Sequence, residues 1–414
     1  MEQFSILFVF ALALSLVIQL WLTSRQKKSV LQHRANVPDA FKDRISLEDH
    51  QKAADYTLAK LKPNRVELIY SSALLLAWTL GGGLDWLDKL ARSYQLNSIY
   101  TGLIVIFSIM LISAILDLPF TLYRTFNLEQ RFGFNRMTGR QFIKDMLLSA
   151  LLSVVIAGPL IATVLWLMPD ASPFWWVYVW AVLIGFGLLI SWVFPTFIAP
   201  LFNKFSPLDD ANLRTRIDGL MKRCGFSSNG IFVMDGSKRS SHGNAYFTGL
   251  GKNKRIVFFD TLLNSLNEDE VEAVLAHELG HFKNHHVRKG LILNAVITFL
   301  GLALLAWLIK QDTFYHALGV SQPSTYMALI LFSIITPLFS IYFQPAMSYF
   351  SRKHEFEADN YAAEQSQPQT LINALVKLYQ DNASTLTPDP LYSAFHDSHP
   401  PAPVRVANLS SKIN

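Results

Sequence analysis

Five consecutive residues, His277-Glu278-Leu279-Gly280-His281, have the types and the spacing of a catalytic metal site. Residues four apart share one face of a helix. His277 and His281 can therefore offer imidazole nitrogens to one tetrahedral zinc ion, while Glu278 points into the same cleft as a general base. Two histidines leave zinc one short of the three protein ligands of a catalytic site, whose fourth position stays open for water. The third ligand must come from elsewhere in the chain. A purely structural zinc site would close all four positions, often with cysteines, and the sequence contains a single cysteine, Cys224.

The surrounding residues predict the helix that such a motif needs. Asn267 followed by Glu268, Asp269 and Glu270 reads as an N-cap with acidic residues in the first turn, close to a capping box. Val271, Val274 and Leu275 supply an apolar stripe, and Lys283, Arg288 and Lys289 place cations towards the helix end. Upstream, Ala211–Cys224 reads as an amphipathic helix, and Gly230–Met234, Ala245–Thr248 and Arg255–Phe259 read as short strands. Ser46–Leu61 reads as a further helix after a turn at Pro38.

These soluble-looking elements are interrupted by membrane-like sequence. The chain has 414 residues, 51% hydrophobic and only 16% charged, which is too apolar for an ordinary soluble enzyme. Seven stretches approach the roughly 20 apolar residues that span a bilayer. They lie near Phe4–Leu22, Val66–Trp86, Ile99–Leu122, Leu147–Met168, Trp175–Ala199, Val287–Lys310 and Thr325–Ser348. The first follows MEQF, which carries Glu2 and no basic residue, so it reads as a retained anchor rather than a signal peptide. In the second, Gly81-Gly82-Gly83 is expected to serve close helix packing. Asp117, in the third, is expected to face the bundle interior or a water-filled space.

The net charge of +5 does not point to nucleic acid, because the basic residues are sorted by loop. Ten Lys and Arg lie between the first two spans, then Lys89 and Arg92 alone, then five again, then none between Pro169 and Phe174. This alternation puts both large polar segments, 200–286 and 349–414, on the cytoplasmic side, in a bacterial inner membrane or the endoplasmic reticulum. One cysteine suits that reducing side. The expected fold is mainly α and multi-pass: seven transmembrane helices and a small α+β zincin-like cytoplasmic catalytic domain. The membrane region with five helices covers 1–199, a catalytic segment 200–286, helices six and seven 287–348, and a C-terminal catalytic segment 349–414.

The segment Ser351-Arg352-Lys353-His354-Glu355-Phe356-Glu357-Ala358-Asp359 offers Glu355 as the missing carboxylate. Asp359, one turn later on the same face, can receive the free N–H of a zinc-bound histidine. Glu357 points away from Glu355 and is expected to be solvated. A metzincin pattern is excluded by Asn284 and Val287, and His285 and His286 are expected at the surface. Arg352 is open between a local ion pair and the site, and His399, before Pro400-Pro401, reads from the sequence as a turn residue.

Six ordered motifs now carry a resemblance: FNLEQRFGFNRMT at 126–138, DGSKRSSHGNAYFTG at 235–249, FFDTLL at 258–263, HELGH at 277–281, SRKHEFEAD at 351–359 and SHPPAPVR at 398–405. With spans in matching places, the chain resembles the type I CAAX prenyl proteases, integral-membrane zinc metallopeptidases. The resemblance implies one Zn²⁺ with Glu355 as third ligand and Asp359 behind it, and helices that enclose a large chamber. It implies that Asn244, Ala245 and Tyr246 belong to an edge strand that binds substrate backbone, and that His399 and Arg405 converge on the site as substrate or oxyanion contacts. The implied partners are a peptide or protein substrate, prenylated or not, and the lipid bilayer. Two other readings are weaker. A broad quality-control endopeptidase would keep the chemistry without the lipid. A metal transporter would need its histidines inside spans, whereas His277 and His281 sit in a charged segment before one.

Overall fold

Apolar runs too long for a globular core form helices that satisfy their own backbone groups, the solution a bilayer demands. The computed structural model describes residues 3–168, 172–227, 230–248 and 255–413, with only the backbone at Thr248. Among these, six helices are long and apolar enough to cross a membrane: Gln3–His33, Ser98–Glu129, Gly139–Leu167, Trp175–Phe202, His286–Leu308 and Thr325–Gln365. Of the short loop expected before Trp175, residues 169–171 lie outside the described residues.

The span expected at Val66–Trp86 is a bent pair instead. Leu47–Trp78, capped by Ser46, and Gly83–Arg92 meet at 47°, so the spans number six, or seven if the pair counts as one. The glycine run expected to serve packing is the bend itself. Gly82 adopts φ +76°, and a Cβ on Gly81 would lie 2.7 Å from the Ala77 carbonyl oxygen. A left-handed residue stops the helix, and glycine adopts it without a Cβ clash.

Outside the spans, Ala211–Cys224 is capped by Asp210, and four strands form one sheet: β1 (Phe205–Pro207), β2 (Ile231–Met234), β3 (Ala245–Thr248) and β4 (Arg255–Phe259). The order is β1-β2-β4-β3, with β2 and β4 parallel and both outer pairs antiparallel. β1 is an addition to the expected strands; three residues ending in proline carry no period-2 signal. β3 is left at an edge, with Ala245 opposite Phe258 and Tyr246 opposite Val257.

Two cores result. One gathers Ile217, Leu220, Phe258, Leu275, Leu279 and Leu371 from the sheet and the helices around it. The other, in the bundle, gathers Val105, Val179, Leu305 and Tyr326. Thr325–Gln365 joins them, contributing Leu331 to the bundle and Ala362 to the extramembrane core. Its 41 residues extend roughly 60 Å, about twice a hydrocarbon layer, so its last turns stand clear of the bilayer. Between the spans a cavity of about 540 Å³ is lined by Ser15, Gln19, Ser71, Ser113 and Asp117 among leucines and isoleucines, so Asp117 faces the bundle interior. A polar cavity of about 460 Å³ lies beside His399, and His396 lines both.

Candidate metal centre and peptide cleft

Glu268–Lys283 forms the expected helix, and Asn267 and Glu270 make a reciprocal capping box. Its apolar face packs on the emerging end of Thr325–Gln365. Gly280 permits this: a Cβ there would lie 2.8 Å from Ala358 Cα and 3.0 Å from its carbonyl oxygen. Because both obstacles are backbone, no side-chain adjustment would relieve the clash.

The close approach brings three donors together. His277 Nε2 lies 3.3 Å from His281 Nε2 and 3.5 Å from Glu355 Oε2, and His281 Nε2 lies 3.3 Å from Glu355 Oε1. One donor atom from each residue lies within 4.8 Å of the others, a group able to hold a metal ion. Glu355 Oε2 is buried without a hydrogen-bond partner, an arrangement that costs stability unless a cation completes it. Two imidazoles and a carboxylate are the donor set of open zinc sites, so the residues present fit that ion.

The two histidines are backed differently. His277 Nδ1 donates to Asp359 Oδ1 at 2.9 Å, and Arg405 forks onto the same carboxylate, Nε to Oδ2 at 2.9 Å and Nη2 to Oδ1 at 2.5 Å. Asp359 and Arg405 are both buried. Burial disfavours the charged form of His277, but its hydrogen bonds to Asp359 and Glu355 outweigh that and hold its pKa up at about 9. His281 Nδ1 instead meets His286 Nδ1 at 3.0 Å, and His286 Nε2 donates to Glu357 Oε2 at 2.8 Å. This corrects two expectations. His286 is 6% exposed rather than at the surface, and Glu357 is partnered rather than merely solvated. The cause is His285, exposed and left-handed at φ +58°, which separates the helix ending at Lys283 from the one starting at His286 and folds His286 inward.

Glu278 lies within electrostatic reach of His277, His281 and Glu355. Burial is the main cause that pushes its carboxyl above the ordinary value. His399 Nε2 stands 3.4 Å from Glu355 Oε1, its ring open to the adjoining cavity. Partial desolvation lowers its pKa although the ring stays mostly exposed. Its loop is held by Arg352, which the sequence leaves open between a local ion pair and the site, and by Tyr379, which carries no sequence signal. Arg352 Nη1 donates to the carbonyls of Ser393 and Asp397 at 3.2 and 3.1 Å, and Tyr379 Oη donates to that of Pro400 at 3.3 Å.

Across the cleft, Phe247 of β3 packs on Phe282 of the metal helix, ring centroids 4.3 Å apart. Asn244 is exposed just before β3; its Oδ1 accepts from the Ala245 N–H at 2.8 Å and its carbonyl accepts from Phe259 at 3.0 Å. Ala245 and Tyr246 are partly buried. A polar network fastens the approach to this strand. Glu129 accepts from Tyr56 Oη at 2.5 Å and lies 3.5 Å from His242 Nε2; the His242 ring stacks on Phe134 at 4.4 Å and its Nδ1 meets Asn382 Oδ1 at 3.0 Å. Two sequence motifs, at 126–138 and 235–249, thus become one clamp, joined also by the bridge Asn135↔Ser240. The motifs were visible in the sequence, but their pairing was not.

Residues 26–204 match the family described as CAAX prenyl protease N-terminal, five membrane helices, and residues 207–413 match Peptidase family M48. The chain is 37% identical to the CAAX prenyl protease 1 homolog of Dictyostelium discoideum, covering 95% of this chain and 93% of that one. It is 36% identical to CAAX prenyl protease 1 of Saccharomyces cerevisiae, with 94% and 91% covered. The crystal structure of S. mikatae Ste24p superposes with a TM-score of 0.91 at 33% identity over 99% of both chains. A multi-pass fold, a metal-ready HELGH cleft and likeness over nearly the whole length converge: the chain belongs to peptidase family M48, as a membrane zinc metalloprotease of the CAAX prenyl protease type.

Proposed function

We propose that His277, His281 and Glu355 hold one zinc ion, that Glu278 is the general acid–base, and that the substrate is the C-terminal end of a prenylated CAAX-box protein. The observation that carries this reading is the convergence of His277, His281 and the orphaned carboxylate of Glu355, with Glu278 next to His277 on the same helix turn. A zinc ion bound there would supply Lewis acidity toward the scissile carbonyl and a lowered pKa for the attacking water. Glu278 takes the proton of that water and returns it to the leaving amine, a task suited to a carboxyl whose pKa burial has raised. The edge of β3, at Ala245 and Tyr246, receives the peptide backbone by strand addition, with Asn244 at its near end. His399, 3.4 Å from Glu355 and open to the cavity, donates to the developing oxyanion. Arg405, its fork committed to Asp359, acts on substrate through the position of His277. The sorting of basic residues between loops supports a cytoplasmic position for this cleft.

The test is cleavage of matched CAAX peptides, farnesylated and unmodified, by purified protein with and without chelator and by Glu278→Ala. The farnesylated peptide is expected to be cut only by the zinc-loaded wild type, while Glu278→Ala still binds zinc. Cleavage by Glu278→Ala would refute the acid–base assignment, and equal cutting of both peptides would make the enzyme a broad membrane endopeptidase instead.

A further inference from the structure

The HELGH motif explains what His277 and His281 do with their inner nitrogens; the outer nitrogen of His281 leads away from the motif. It meets His286 Nδ1 at 3.0 Å, and His286 Nε2 meets Glu357 Oε2 at 2.8 Å. We infer that His286 and Glu357 form a two-residue relay that orients His281 towards the metal, the counterpart of what Asp359 does for His277. The inference rests on the proposed reading that His281 binds zinc through Nε2.

The proton count admits one arrangement. A histidine that ligates through Nε2 carries its hydrogen on Nδ1, so His281 must donate there. His286 Nδ1 then has to accept, which puts the hydrogen of a neutral His286 on Nε2, where the Glu357 carboxylate receives it. Every nitrogen and oxygen in the chain has one role, and each contact is at hydrogen-bond distance.

The ring is also held as a positioning residue should be. His286 is 6% exposed and stacks on His354 at 4.0 Å with 14° between planes. The left-handed His285 delivers it from the first turn of His286–Leu308, while Glu357 comes from Thr325–Gln365, two residues after Glu355. The relay thus ties the metal helix, the following span and the helix of the third ligand at one point. Lys289 and Lys353 lie 3.9 and 4.0 Å from Glu357 and favour its charged form. The competing explanation is that His286 merely plugs the bend between two helices.

The test uses full-length protein in detergent, comparing wild type with His286→Ala, Glu357→Ala and Glu357→Gln. Three quantities are read: zinc affinity by competition with a chromophoric chelator, the visible spectrum of the cobalt-substituted protein, and the thermal midpoint after metal stripping. His286→Ala is expected to weaken zinc binding about 10- to 100-fold, the usual effect of losing a partner behind a metal-bound histidine, and to alter the cobalt bands. Glu357→Ala should weaken it by a smaller factor. Glu357→Gln, whose amide oxygen still accepts from Nε2, should restore affinity to near wild type. The stripped proteins should unfold at similar temperatures. The relay is overturned if His286→Ala and Glu357→Ala bind zinc like the wild type, with or without a lowered midpoint, since that is the behaviour of a plug. A His281→Ala control that still holds zinc with wild-type affinity would overturn the ligand assignment beneath the relay instead.

Discussion

The two walls of the cleft are built by different physics. The ligand wall joins Glu268–Lys283 to Thr325–Gln365 by close apolar packing, with Gly280 against the Ala358 backbone and Ala276, Leu279 and Ala362 buried around it. The substrate wall, from Asn244 through β3 and on the far side His399, is held by polar links: Glu129 with Tyr56 and His242, Arg239 forked on Asp145 at 2.8 and 3.1 Å, and Arg352 on the carbonyls before His399. Metal donors must be fixed to within a fraction of an ångström, which a close-packed interior provides because it deforms little. A peptide-binding edge needs a defined place but some freedom to accept different chains, which hydrogen-bonded clips at half-exposed positions allow. Damage to the first wall should therefore appear in the metal and damage to the β3 side of the second in KM, while loss of His399, which faces the developing oxyanion, should appear in kcat.

The largest expected effect is at the donor that bridges the two helices. Glu355→Ala should leave the purified protein without stoichiometric zinc and without measurable cleavage; a variant that keeps both would break the comparison at its centre. Next comes Asp359→Ala, which strips His277 of its acceptor and leaves the buried Arg405 charge without its bidentate partner, with only Glu355 3.8 Å away. Such a loss costs about 3–5 kcal/mol. Zinc affinity should also fall about 10- to 100-fold, read by thermal unfolding and chelator competition. Gly280→Ala is milder in chemistry but meets unyielding backbone, and overpacking of this kind costs about 1–3 kcal/mol. It should loosen zinc because the helices must separate, and wild-type zinc affinity in this variant would show that the close contact does not set the site. The smallest effect belongs to the clamp. Glu129→Ala should raise KM for a CAAX peptide several-fold with kcat and zinc content nearly unchanged; a fall in kcat alone would place the clamp in the ligand wall after all.

Much of the ligand wall was legible because its signals are local. Helical spacing put His277 and His281 on one face, the Asn267–Glu270 capping box started the helix where it starts, and Glu355 and Asp359 stood one turn apart in a segment continuous with a span. Legibility failed where two distant segments meet. Nothing near His286 announced that it would turn inward to Glu357, 71 residues away, because the deciding event is a left-handed backbone at His285. The triple glycine was visible, yet whether it packs or bends depends on what lies beside Ala77 and Trp78.

Hydropathy, helical period and capping are properties of neighbouring residues, so the sequence by itself determined the membrane class, the metal helix and the two histidines it carries. How closely Glu355 approaches them, the strand order that leaves the expected edge strand free, and the partners that orient His281 were decided only by the tertiary structure. The reason is that these are distances between segments far apart in the chain, set by how closely Gly280 lets two helices approach and by the order β1-β2-β4-β3.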